Sequence, residues 1–75
     1  MQRYANLSGH SGVVAYEFDA DSITIKFAGG DRYLYTKDSA GAAHIVRMCE
    51  LAESGRGLTT YISQHVRDRY AKKSS

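Results

Sequence analysis

Proline and tryptophan are missing from this chain altogether, and Cys49 is its one cysteine. A single thiol builds neither an internal disulfide framework nor a multi-thiolate zinc site, so nothing points to an oxidising compartment. Long apolar runs are lacking as well. No stretch is long enough to span a bilayer, and the N-terminus has no signal peptide's apolar region. The expectation is a soluble, cytoplasmic protein with no membrane partner. His10, His44 and His65 never fall at the i, i+4 spacing that grips zinc from a helix, and no acid–histidine ladder accompanies them. No metal and no cofactor are therefore expected.

A catalytic signature is lacking too. Ser8-Gly9-His10-Ser11-Gly12 looks superficially like a phosphate loop, but it precedes a strand, lacks the Gly-Lys-Ser/Thr ending and opens no helix, so it reads as a flexible turn. The residue types of a nucleophilic triad occur without a spacing that singles any of them out. Cys49 falls on an apolar helical stripe, where a free thiol acts as a small hydrophobe, and His65 falls at the edge of another, as a partly buried imidazole. The chain is not expected to be an enzyme.

What is present suits one small domain. Seventy-five residues cannot support two cores, and the 43% hydrophobic and 24% charged fractions are those of an ordinary globular protein. The predicted division is a single domain over 1–75, with an N-terminal arm at 1–12 and a basic polar tail at 71–75. The net charge of +2 is unevenly spread. Up to residue 55, acids outnumber bases by two. From Arg56 onward, Arg67, Arg69, Lys72 and Lys73 join Arg56 against Asp68 alone. Such an end either keeps a terminus soluble or attracts phosphates or an acidic surface.

The hydrophobic pattern predicts an α+β fold, a three-stranded antiparallel meander covered on one face by two C-terminal helices (β-β-β-α-α). Val14, Tyr16 and Phe18 alternate with polar or small residues, and so do Ile23, Ile25 and Phe27. If Ala20-Asp21 forms a two-residue loop, Phe18 lies opposite Ile23, Tyr16 opposite Ile25 and Val14 opposite Phe27, apolar on apolar throughout. Ala28-Gly29-Gly30-Asp31 makes the next turn, leading to Arg32-Tyr33-Leu34-Tyr35-Thr36. A helix capped by Asp38 or Ser39 then carries Ile45, Met48, Cys49 and Ala52, with Ala42 and Val46 beside them, and ends at Gly55. A second helix starting near Thr59 carries Leu58, Tyr61, Ile62, His65, Val66 and Tyr70 on one stripe.

The meaning of Tyr33 and Tyr35 turns on the hairpin loop. A two-residue loop places both beside Thr24 and Lys26 on the open face, an aromatic platform next to a cation of the kind that stacks unpaired bases. A three-residue loop, Gly29-Gly30-Asp31, sets Tyr33 opposite Phe27 and Tyr35 opposite Ile25, as core. Both geometries are compatible with the sequence.

Three features taken together resemble the KTSC domain family, small proteins named for a module at the C-terminus of some lysyl-tRNA synthetases. They are Tyr33-Leu34-Tyr35, matching the family's YxY motif; Ser11-Gly12-Val13 leading to Tyr16; and Gly55-Arg56-Gly57-Leu58 through Tyr61-Ile62 to Val66-Arg67-Asp68-Arg69-Tyr70. The resemblance covers nearly the whole chain. Where many members carry a proline after the YxY, Thr36-Lys37-Asp38 stands here. The resemblance implies a free-standing bacterial or phage protein or an appended domain, with Tyr33, Tyr35, Arg67 and Tyr70 as motif positions and RNA binding as a function.

Two functional readings follow. One is a non-catalytic protein-interaction or adaptor module, using an open sheet edge or interfacial tyrosines. The alternative is a domain for RNA or single-stranded nucleic acid that uses a basic C-terminal helix and the tyrosine pair. The candidate surface in either case is Tyr33, Tyr35, Lys26, Arg67, Arg69, Tyr70, Lys72 and Lys73. The partner is then a protein or RNA, and the unpaired third strand leaves the oligomeric state open.

Overall fold

Alternation in the strands and helical spacing after them produce two layers in the computed structural model, which describes residues 1–7, 9 and 11–74. Ser8 and His10, and with them part of the turn expected at 8–12, lie outside the described residues. The elements are β1 (Gln2–Arg3), β2 (Val13–Phe18), β3 (Ser22–Phe27), β4 (Arg32–Thr36), α1 (Lys37–Ala40), α2 (Ala42–Ser54), α3 (Leu58–Tyr61, continued by a π-helical turn over Ile62–Val66) and β5 (Lys72–Ser74). The sheet is antiparallel throughout, in the order β1-β2-β3-β4-β5. The α+β class is as expected, but among the described residues the sheet has five strands and the helices number three where three strands and two helices were predicted.

The first hairpin closes on Ala20-Asp21. Asp19 Oδ1 accepts from the backbone N–H groups of Asp21 (2.8 Å) and Ser22 (2.9 Å), an Asx turn that sets Phe18 opposite Ile23 and Tyr16 opposite Ile25. Those hydrogen bonds hold the Asp19 carboxyl below its ordinary range. Further up β2 the register slips by a β-bulge, so that Val13 and not Val14 lies opposite Phe27. Val13 is 1% exposed and Val14 39%. The expected Val14–Phe27 pair is thereby corrected. The bulge turns the Val14 carbonyl to the Tyr4 N–H (3.0 Å), which anchors the N-terminal segment on β2.

The second hairpin has a three-residue loop, but the loop is Ala28-Gly29-Gly30. Phe27 N–H donates to the Asp31 carbonyl (2.9 Å) and Gly30 takes φ 97°, which only glycine accepts without strain. The register is therefore Ile25 opposite Tyr33 and Ile23 opposite Tyr35, two residues away from the pairing of the three-residue alternative but with the tyrosines on the same, covered side. The tyrosines face the helices.

Thr36, not Asp38 or Ser39, caps α1, exchanging bonds with Ser39 in a capping box. On α2, Ile45, Met48 and Ala52 are buried, Cys49 is half-buried, and Ala42 and Val46 are exposed, which corrects their place beside the core. Burial and then Glu53 push the Cys49 thiol up, which keeps it protonated. Gly55 ends α2 at φ 77°, and a Cβ there would stand 2.8 Å from the Ala5 Cβ. The helix end and the N-terminal segment thus meet at a backbone that only glycine permits. Tyr4, from the segment read as an arm, joins the core at 3% exposure, and its hydroxyl accepts from Leu58 N–H.

The largest departure lies at the C-terminus. The predicted second helix stops at Val66, where Arg67 takes φ 31° and its N–H reaches the Ile62 carbonyl. The chain reverses, Ala71 N–H bonds the Leu34 carbonyl (2.7 Å), and Lys72–Ser74 pairs with β4. A helix prolonged past Arg67-Asp68-Arg69 would project polar residues into water and leave the β4 edge unpaired. The strand satisfies that edge and lets Tyr70 pack on the sheet.

Candidate functional site

Alternate residues of the strands divide the molecule into a covered and an uncovered face. Ile23, Ile25, Tyr16, Val13 and Tyr35 pack with Ile45, Met48, Leu58, Ile62 and Val66 in one core. The residues between them, together with their cross-strand partners, make the other face. Arg3 pairs Ala15, Ala15 pairs Lys26, and Lys26 pairs Arg32. One row along, Glu17 pairs Thr24, Thr24 pairs Leu34 and Leu34 pairs Lys72. Directly paired residues share a side, so Arg3, Lys26, Arg32 and Lys72 share the open face with Glu17 as the carboxylate among these rows. Lys26 and Arg32 are directly opposite, at the spacing where like charges repel, and Lys72 is diagonal to Arg32. None of the three has an acid within ion-pair distance among the described residues, where the pairs are Lys37–Asp21 and Arg47–Glu50. The apolar residues of these rows are the half-buried Leu34 and Ala15; no aromatic ring stands on them.

A second feature adjoins this face across β5. Successive strand residues point to opposite sides, so Lys72 joins the open face while Lys73 turns to the other, its Nζ 5.4 Å from the Tyr33 ring centroid. The Tyr33 hydroxyl, and Asp31 more weakly, raise the Lys73 ammonium above its ordinary value, so it stays charged. Tyr33 meets Tyr70 edge-on at 4.8 Å and Phe27 at 5.1 Å. Tyr33, Arg67, Asp68 and Tyr70 line an open cleft of about 440 Å³. Beneath it Tyr35, 0% exposed, donates its hydroxyl to the Arg67 carbonyl (2.7 Å), and burial drives its pKa far up.

The candidate residues named from sequence therefore separate. Lys26 and Lys72 stand on the open face; Tyr33, Tyr70, Arg67 and Lys73 gather around the cleft. Tyr35 is sealed in the core and can touch no partner, a correction to its place on a binding surface. Arg69 lies exposed after the π-helix, and the helix expected to carry Arg67 and Arg69 ends before them, while Lys72 and Lys73, expected in a polar tail, lie in a strand. The aromatic platform beside Lys26 does not form, because the loop sets the tyrosines on the covered side. Arg3 and Arg32 were missed. Arg32 was detectable as the residue one step from Tyr33, hence on the side opposite the tyrosines, whereas Arg3 gave no signal in a segment that looked irregular.

Two further groupings complete the surface. His44 Nδ1 and the Tyr61 hydroxyl are hydrogen-bonded at 2.6 Å, and the Tyr61 ring lies 4.4 Å from that of His65, which is exposed where a partly buried ring was expected. Among the described residues no group of three His, Cys, Asp or Glu side chains is placed to hold a metal ion. At the β1 edge, Met1, Gln2, Tyr16, Glu17, Phe18 and Glu53 line an open cleft of about 480 Å³ whose charged side chains are carboxylates. Among the described residues no helix is long and apolar enough to cross a membrane. No family model, curated protein or solved structure matches the chain.

Proposed function

We propose that the protein is a non-catalytic binding module for single-stranded nucleic acid, RNA in particular, held through its phosphates by the open sheet face. The observation that carries this reading is the direct Lys26–Arg32 pair with Lys72 diagonal to it, on the face opposite the one that packs with the helices. A cross-strand pair of like charge costs stability on its own, and a phosphate between the two cations reverses the sign of that interaction. A protein-interaction surface is supported less well, because the cores of such interfaces are depleted in charge and enriched in aromatic rings, and these rows have the opposite composition. The KTSC resemblance is likewise a proposal. It is supported by the meeting of motif positions far apart in sequence, with Tyr35 bonded to the Arg67 backbone and Tyr70 against both Tyr33 and Tyr35.

The test is a titration of a labelled, unstructured RNA oligonucleotide over a range of salt concentrations. Four phosphate contacts predict a slope of log affinity on log salt of about −2.8, and the Lys26→Gln/Arg32→Gln double variant should lower it to about −1.4. Absent binding, salt-independent binding or an unchanged slope in the variant overturns the proposal. Tighter binding of polyglutamate than of RNA, at matched salt, would turn the reading to an acidic protein partner.

A further inference from the structure

The cleft at the β5 edge lies one residue away from the cationic face, and its chemistry differs from that of the face. The geometry points to a nucleobase subsite: an unpaired base of the strand held on the open face crosses β5 and enters the cleft of Tyr33, Arg67, Asp68 and Tyr70. This rests on the nucleic-acid reading above and adds what that reading leaves open, namely contact with bases. Three observations carry it. β5 divides Lys72 and Lys73 between the two sides, so a backbone crossing that edge meets a cation on each. The Tyr33 ring is engaged by Lys73, Phe27 and Tyr70, while half-buried Tyr70 and exposed Arg67 line the open space, an aromatic ring and a guanidinium plane of the kinds on which bases stack. Asp68 in the wall repels phosphate but accepts from base N–H groups, so the occupant is the edge of a base and the phosphates stay with the lysines. The cleft volume, about 440 Å³, lies within the range of small-ligand sites. The β1-edge cleft, with Glu17 and Glu53 in its lining, has two carboxylates to repel a phosphate backbone and no Lys or Arg among its lining residues.

The experiment compares two oligonucleotides of equal length and phosphate count, one with all its bases and one abasic throughout, at several salt concentrations. The intact strand should bind roughly 5- to 150-fold more tightly, as one stacked base allows, with the same salt slope for both. Tyr70→Leu should erase the difference and Tyr70→Phe keep it. Because Tyr70 also packs on the core, the ring resonances of the unaltered protein provide a second reading: those of Tyr33 and Tyr70 should shift with the intact strand and not with the abasic one, while those of Tyr4 stay put. Equal affinity of the two strands, or ring shifts confined to other tyrosines, overturns the subsite and leaves phosphate binding standing. Failure of both strands to bind overturns the two proposals together.

Discussion

The two faces of the sheet are written by neighbouring residues of the same strands, yet they follow opposite rules. On β3, Ile23 and Ile25 are 0% exposed, while Thr24 between them and Lys26 after them face away from the helices. The covered face satisfies itself. Its deepest tyrosine donates to a backbone carbonyl, and among the described residues no buried side-chain nitrogen or oxygen lacks a partner. The open face carries its own repulsion, with Lys26 directly across from Arg32. A small domain has little stability to spare. Like charges retained on one face while the other is packed to completion accord with the proposal that the covered face supplies stability and the open face binds.

Three measurements can break or sharpen this contrast, the largest effect first. Ile23→Ala should lower the unfolding free energy by about 2–5 kcal/mol in a urea titration, whereas Thr24→Ala, one residue along, should change it by about 0.5 kcal/mol or less. Equal losses at the two positions would mean that the faces do not differ as described. Tyr35→Phe should cost about 0.5–1.5 kcal/mol, since it removes the bond to the Arg67 carbonyl. That variant also has a pH signature. The Tyr35 pKa is raised in the folded protein by burial foremost, with Tyr33, Tyr70 and Asp68 adding to it. Its contribution is thus full below the ordinary tyrosine pKa of about 10 and is lost as pH rises from there towards the folded value. Thermal melts between neutral and strongly alkaline pH should show a steeper decline for the native protein than for Tyr35→Phe; parallel curves would place the hydroxyl in water. Smallest of all, Lys26→Gln should raise stability by about 0.2–1 kcal/mol at low salt and by less at high salt, because it relieves the pair with Arg32. A loss of stability there would show Lys26 to be a packing residue.

Much of the covered face was legible in advance. Tyr16, Phe18, Ile23 and Ile25 obeyed a period of two around a turn whose Asp19 side chain could serve only one register, and Ile45, Met48 and Ala52 obeyed the helical period up to Gly55. The bulge at Val14 was not legible, because Val13 and Val14 are chemically alike and only the choice of which one to bury distinguishes them. The second hairpin was half legible. Its glycines announced a turn, but Ala28-Gly29-Gly30 and Gly29-Gly30-Asp31 are both feasible loops, and the two registers differ by a pair of residues. β5 was invisible, since Lys72-Lys73-Ser74 has no apolar alternation and becomes a strand only because β4 offers an unpaired edge. Tyr4 was missed for a related reason, as a lone aromatic in a polar segment has no periodicity to betray it.

The residues alone determined a single thiol on an apolar helical stripe, an apolar two-fold alternation in the strands before it, and a cationic excess after Arg56. These are local quantities, readable from composition and spacing. Which cations would meet was decided only in three dimensions. Arg3, Lys26, Arg32 and Lys72 come from four strands, and a shift of one residue in any hairpin sends its cation to the other side. Strand pairing over long separations, with its own hydrogen-bond demands at every edge, set that arrangement. No local signal in the chain encodes it.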